Sequence, residues 1–361
     1  MCMAIIFVNK ISSLKTNQER ENILNIKPHL WILTLFAFLL QSCGTFASFS
    51  TPTTVPLPTA TPIPSSTPSP TETPLPTVVL TPPPRIDRVL IVSFDGLRPD
   101  AIEKAKMVNV QALMQSGAYT LSAQTIMPST TLPAHSSMLV GTCPAKHIVR
   151  WDLYVPQNGF AIGTDIFDLA HTIGLQTAMV VGKEKLRQVT EPASIDYFAF
   201  IDGTDKIEDY STIKELAINQ VLQGFNLMFL HFPSGDLAGH DHGWMSKKQL
   251  KAYASDDAEF GVVLQSLKDH GLYESTIIIV TSDHGGHDTT HGYDLPEDMT
   301  IPWIISGPRV HPGQIMTQVH TMDTAATTAF VLGLPLPPEW DGVPVFEAFG
   351  LPITAQSTAC R

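Results

Sequence analysis

Short apolar runs alternate along this chain with longer stretches in which apolar positions recur every third or fourth residue. Arg88–Phe94, Thr177–Val181, Asn226–Phe232 and Thr276–Val280 read as strands buried on both faces, with Tyr197–Ile201 and Pro302–Ile305 as further strands. Between them the spacing predicts a helix from Pro99 to about Gln115, stopped by Gly117, and another opening at Thr131-Leu132-Pro133. Further helices are expected over Ile166–Ala170, Ile213–Leu222, Ser246–Lys268 and from a cap at Asp323 to about Leu332. Strands alternating with helices predict an α/β fold, with helices on both faces of a largely parallel sheet. In such sheets a site forms at the carboxyl ends of the strands. Asp95, Asp236 and Asp283 each stand just beyond an expected strand.

The first strand is preceded by two segments of different character. Lys10, Lys15, Arg20 and Lys27 lead into the apolar run Leu30–Leu40, too short to span a bilayer comfortably and suited to the core of a signal peptide. Leu40-Gln41-Ser42-Cys43 resembles a bacterial lipobox, so residues 1–43 are expected to be a signal peptide that leaves a lipid anchor on Cys43. On this reading the protein is exported, extracytoplasmic and held at the membrane as a lipoprotein. Residues 44–84 are rich in Thr, Pro and Ser, and 12 of the 29 prolines fall between Ala47 and Pro84. Such a stretch cannot bury apolar surface and is expected to be an extended spacer. The folded domain is therefore expected over residues 85–361, with any small cap within 150–215. Cys143 and Cys360 lie in that domain, and export permits either a disulfide between them or two free thiols.

Charge narrows the range of partners. The net charge is −12 and no basic tract is present, which argues against binding to duplex nucleic acid. Attraction of an anionic substrate would have to be local, and bound cations can supply it.

Four clusters carry candidate chemistry: Ser93-Phe94-Asp95-Gly96, Pro128–Pro133, Asp236–His240, and Ser282–Gly285 with His291. Asp283 and His284 can share one ion if the chain turns sharply at Gly285-Gly286, and Asp95 can join them. Asp236 and His240, four apart, lie on one face of a helical turn or in a loop wrapped round an ion. His291 can complete a second set with them, and His287 and His242 compete for that role. Thr131 is the candidate nucleophile. A threonine hydroxyl is weak at neutral pH until a metal lowers its pKa, and a helix starting beside it would aim N–H groups at an anionic oxygen.

These motifs resemble the alkaline phosphatase superfamily, most closely its nucleotide pyrophosphatase/phosphodiesterase branch. The resemblance rests on Phe94–Asp100, Thr131–Pro133, Gly141–His147, Asp236 with Gly239-His240, Thr281–Gly285 and His291–Tyr293. It implies an alkaline-phosphatase-like α/β/α sandwich. It also implies two Zn2+ ions, one held by Asp236, His240 and His291, the other by Asp95, Thr131, Asp283 and His284. Mn2+ or iron also suits an N/O ligand set. The substrate class implied is a small phosphate ester, cleaved as a phosphodiester or nucleotide pyrophosphate through a phospho-threonine at Thr131. The related phosphodiesterases usually carry Asn three residues after the nucleophile, donating to a phosphoryl oxygen; Ala134 stands there. Val181–Leu186 resembles lysine-bearing loops of phosphonoacetate hydrolases and some phosphomonoesterases, which makes Lys183 and Lys185 candidate substrate-binding residues. A phosphomonoesterase or phosphonate hydrolase is therefore the alternative enzyme. A surface-anchored binding module that kept the fold without the chemistry is the alternative of another kind.

Overall fold

A computed structural model describes residues 86–201 and 211–360. The expected signal peptide, lipobox and Thr/Pro/Ser spacer lie outside the described residues. Among the described residues eight strands form one sheet: β1 (Arg88–Phe94), β2 (Ala118–Gln124), β3 (Thr177–Val181), β4 (Tyr197–Phe200), β5 (Leu227–Phe232), β6 (Thr276–Thr281), β7 (Thr300–Ser306) and β8 (Gly313–Gln314). Their order is β4-β3-β5-β1-β6-β7-β2-β8. β1 lies centrally and pairs in parallel with both β5 and β6, Ile91 opposite Phe229 on one side and Ile279 on the other.

The layering follows from the period of two along β1. Val89 and Ile91 point into one core, shared with Leu132, Phe167, Trp303 and Ala329. Leu90, Val92 and Phe94 point into the other, shared with Val110, Ile213, Phe260 and Leu267. Helices Thr131–Val140, Ile166–Thr172 and Asp323–Leu332 thus cover one face, and Val108–Ser116, Ser211–Gln223 and Lys247–Asp269 the other. This is the α/β/α sandwich expected from the alternation. Among the described residues no helix is long and apolar enough to cross a membrane.

The structure departs from the sequence expectations in several places. The helix expected over Pro99–Gln115 is two, Pro99–Lys104 and Val108–Ser116, because Lys106 takes a left-handed conformation (φ 55°) between them. β2 was not expected: its sequence AYTLSAQ is small and polar, and its pairing with β7 is interrupted between Thr120 and Ala123. β7 runs antiparallel to β6, since residues 282–299 return without a crossover to the far end of the sheet. β3 and β4 both lie within 150–215 and pair with each other in the main sheet, so that part of the segment is sheet rather than cap.

Cys143 and Cys360 form a disulfide, with Cα atoms 5.4 Å apart and a sequence separation of 217. The bond ties Cys360 to the loop after the helix Thr131–Val140. Ala134 belongs to the small buried cluster beside it, with Ile126, Met322 and Cys360. The side chain at position 134 is thus accounted for by packing. Reduction of this bond, or a Cys143→Ser, Cys360→Ser double change, is expected to cost about 2–4 kcal/mol. Thermal unfolding with and without reductant measures it.

Candidate active site

β1 ends at Phe94, and the N–H of Asp95 directly after it continues the ladder to Phe232 O at 3.0 Å. β6 ends at Thr281, and Ser282 then locks the two strand ends together. Its hydroxyl accepts from Leu97 N at 2.9 Å and lies 2.8 Å from Phe94 O. Asp283 Oδ1 accepts from Gly96 N at 3.1 Å, so the turn after β1 fixes the carboxylate that follows β6. The chain bends at Asp283, and Gly285 and Gly286 have no positive φ. They serve close approach instead: a Cβ at 286 would collide with the Trp244 ring, and one at 285 with Glu297 O. Trp244 in turn donates from Nε1 to Gly96 O at 3.0 Å.

Asp236 and His240 stand on the helix Ser234–His242. Its sequence SGDLAGHDH is too polar for apolar periodicity to reveal a helix, which is why the sequence left helix and loop open. Tertiary contact positions it: Gly235 packs so closely on the Tyr253 ring that a side chain there would overlap it. Thr131 is the first residue of the helix Thr131–Val140 and is fully buried.

The strand ends bring these side chains together. His284 Nε2 lies 3.2 Å from Asp283 Oδ2, 3.5 Å from Asp95 Oδ1 and 3.4 Å from Thr131 Oγ1. Asp236 Oδ1 lies 3.5 Å from His240 Nε2 and 3.6 Å from His291 Nε2. The His284 and His291 rings stack at 3.7 Å, which joins the two sets. Among the described residues two groups, sharing His284, have ligand atoms close enough to hold an ion: Asp95, Asp283 and His284; and Asp236, His284 and His291. His240, on the more exposed rim, is 5.0 Å ring to ring from His291 and outside the tighter group. His287 is engaged elsewhere, with Nδ1 2.7 Å from Asp298.

The donor set fits metal ions on two independent counts. Asp95 Oδ1, Asp236 Oδ1 and Asp283 Oδ2 are buried oxygens without a hydrogen-bond partner. Three orphaned carboxylate oxygens facing one space are costly unless a cation satisfies them. His284, His291 and His240 each donate Nδ1–H to a backbone carbonyl, of Gly285 (2.8 Å), Ser129 (2.9 Å) and Thr289 (3.0 Å). That tautomer leaves each Nε2 unprotonated, with Thr131 Oγ1 3.4 Å from the Nε2 of His284, the arrangement of metal-ligating histidines. Burial, then the neighbouring His284, holds His291 down to about 4, neutral and able to ligate.

Lys183 completes the electrostatics. Its Nζ lies 2.7 Å from Asp95 Oδ2, 2.6 Å from Asp236 Oδ2 and 3.3 Å from Thr131 Oγ1. Burial alone would raise the Asp95 carboxyl, but the Lys183 ammonium and a His231 hydrogen bond hold it well below the usual range. At Asp283 burial, then repulsion from Asp95, outweighs the attraction of His135 and Lys183 and pushes the carboxyl up to about 7. Lys185 is placed differently, with Nζ on Asp152 Oδ2 at 2.9 Å.

Two buried histidines were missed in the sequence. Gly182 N–H donates to His231 Nδ1 at 3.2 Å, so His231 Nε2 donates to Asp95 Oδ2 at 2.8 Å and aims Oδ1 at the site. His135 Nδ1 donates to Thr131 O at 2.8 Å and its Nε2 accepts from Ser93 Oγ at 2.9 Å, bracing the start of the helix Thr131–Val140. The available signal was a lone histidine in an otherwise apolar strand, and another one helical turn after Thr131.

Comparison with known proteins decides the family. The family model described as type I phosphodiesterase / nucleotide pyrophosphatase matches residues 89–301, more than half of the chain. The chain belongs to this family. The matched segment contains all the residues of the site. Human GPI ethanolamine phosphate transferase 2, catalytic subunit, is 27% identical over 76% of the chain and 29% of its own length. Human ectonucleotide pyrophosphatase/phosphodiesterase family member 5 is 26% identical over 56% of the chain and 45% of its own length. The chain therefore spans less than half the length of these two curated relatives. An inactive variant of the murine family member 5, solved in complex with AMP, superposes with a TM-score of 0.58 at 18% identity, covering 70% of this chain and 96% of that one. A 2-O GAG sulfatase superposes with a TM-score of 0.62 at 14% identity over 75% of this chain and 76% of its own. These likenesses show a fold shared between family members and sulfatases.

Proposed function

We propose that this protein is a two-metal phosphodiesterase or nucleotide pyrophosphatase that works through a phosphorylated Thr131. The carrying observation is the convergence of three orphaned carboxylate oxygens and three free imidazole Nε2 atoms, with the Thr131 hydroxyl 3.4 Å from His284 Nε2. Asp95, Asp283 and His284 with Thr131 would hold one ion, and Asp236, His291 and His240 the other. When bound, such ions, Zn2+ by ligand type, supply charge for the phosphoryl oxygens and lower the pKa of the hydroxyl. The chain's own groups do the rest. Thr131 Oγ1 forms a bond to phosphorus as the bond from phosphorus to the leaving oxygen breaks, and water later cleaves the Thr131–phosphate bond and restores the hydroxyl. Lys183 Nζ, 3.3 Å away, stabilises the alkoxide as it develops. A threonine-to-alanine variant of the structural neighbour holding AMP is described as inactive, which supports both the nucleophile and a nucleotide-like substrate.

The reading extends to location. The Cys143–Cys360 bond fits an oxidising compartment. With the signal-peptide pattern it supports an exported protein, anchored to the membrane through lipid on Cys43 and acting on small phosphate esters.

Hydrolysis of bis(p-nitrophenyl) phosphate and p-nitrophenyl thymidine monophosphate, compared with p-nitrophenyl phosphate by zinc-supplied protein, tests the proposal. Diesters are expected to turn over with kcat/KM at least about tenfold higher. A monoester preference would transfer the assignment to the phosphomonoesterase or phosphonate hydrolase reading. No turnover with metals bound would leave a binding module.

A further inference from the structure

Asp152 lies at the start of the nucleophile helix, in an irregular stretch between β2 and β3. Its Oδ1 accepts the Leu132 N–H at 2.7 Å, and its Oδ2 accepts from Lys185 Nζ at 2.9 Å. Leu132 follows Thr131 directly, so this N–H is the first helical donor beyond the nucleophile. Lys185 is two residues beyond Lys183, the ammonium that reaches Thr131 Oγ1. The backbone donor next to the nucleophile and the second lysine of the loop therefore both end on one carboxylate. The Asp152 side chain keeps 32% of its exposure and Lys185 keeps 17%, so the pair is partly open to water rather than in the core. A helix N-terminus beside a nucleophile favours anions, and here the chain provides its own.

We propose that Asp152 is a specificity-determining residue, a built-in anion that spends Lys185 and the Leu132 N–H on itself and so sets the substrate charge the site accepts. The inference rests on the phosphoryl-transfer reading above and deepens it. A phosphodiester brings one negative charge; a phosphomonoester brings close to two and places an additional anionic oxygen near the nucleophile. With Asp152 ionised and paired, the Lys185 charge is already neutralised, and an extra substrate oxygen meets a carboxylate instead of a free ammonium. Repulsion between like charges a few ångströms apart at a partly shielded site amounts to a meaningful fraction of a decade or more in rate. Asp152 acts through Lys185 and the helix start, so its effect falls on the choice between substrates more than on the chemistry at Thr131.

The test compares the full-length, zinc-supplied protein with its Asp152→Asn and Lys185→Gln variants on bis(p-nitrophenyl) phosphate and p-nitrophenyl phosphate. Asn at 152 keeps an oxygen to accept the Leu132 N–H while removing the charge and releasing Lys185. The ratio of monoester to diester kcat/KM is expected to rise about tenfold in Asp152→Asn, carried by a lower KM for the monoester. The double variant Asp152→Asn, Lys185→Gln should lose that gain, because the released ammonium produces it. A structural role alone would lower both activities together and leave the ratio fixed. An unchanged or falling ratio in folded Asp152→Asn protein overturns the inference. Failure of the wild type on both esters would instead overturn the phosphoryl-transfer reading on which it rests.

Discussion

Thr131→Ala protein is expected to retain its metal ions and its fold while losing turnover by about 10³-fold or more. Thr131 is the only hydroxyl placed between the two carboxylate–imidazole groups, 3.4 Å from His284 Nε2 and 3.3 Å from Lys183 Nζ among the described contacts. Its removal leaves the imidazole tautomers intact, since Ser129, Gly285 and Thr289 set them through backbone carbonyls. It also leaves the start of the helix in place, because Thr131 contributes its backbone O to His135 and no side-chain cap is made at Thr130. A loss of metal from Thr131→Ala protein would show that the hydroxyl is needed mainly as a ligand. Unchanged turnover would remove it from the nucleophile role.

Asp283→Asn is expected to reduce activity by about 10³-fold through loss of an ion, without destabilising the metal-free protein. Asp283 Oδ2 is an orphaned oxygen of the buried site, and burial with the nearby Asp95 pushes its pKa up to about 7. The metal-free fold therefore carries a carboxylate held against both desolvation and a like charge. Asn keeps an acceptor for Gly96 N and removes that penalty, so its metal-free melting temperature should equal or exceed that of wild type. Such opposition between stability and site chemistry is common at functional centres. The pair of readouts is a zinc titration and a melting curve in chelator. A variant that binds metal normally, or that unfolds far earlier than wild type in chelator, would contradict this description of Asp283.

Much of this was legible in the sequence because the central sheet is parallel. β1, β3, β5 and β6 are buried on both faces, so their runs are predominantly apolar and the ends of β1, β5 and β6 locate Asp95, Asp236 and Asp283. What escaped reading is what packing alone decides. β2 is short of β-branched residues and is held by its partner β7. The helix carrying Asp236 and His240 has only Leu237 and Ala238 as apolar side chains and is fixed by the fit of Gly235 on Tyr253. His231 and His135 bond to groups more than forty residues away, or to a backbone carbonyl, and no local pattern announces such partners. The sequence left the Cys143–Cys360 pairing open for the same reason: the contact joins chain segments 217 residues apart. Lys183 and Lys185 stood together as candidate substrate-binding residues. Their side chains divide in the structure, one onto Asp95 and Asp236 and the other onto Asp152.

The most direct test of the central claim is the metal content of the purified protein, measured by inductively coupled plasma mass spectrometry beside the Asp283→Asn and His291→Ala variants. The two ligand groups predict two ions per wild-type chain and close to one in each variant. A wild-type chain that stays folded and binds no ion when supplied with zinc, manganese or iron would contradict the account.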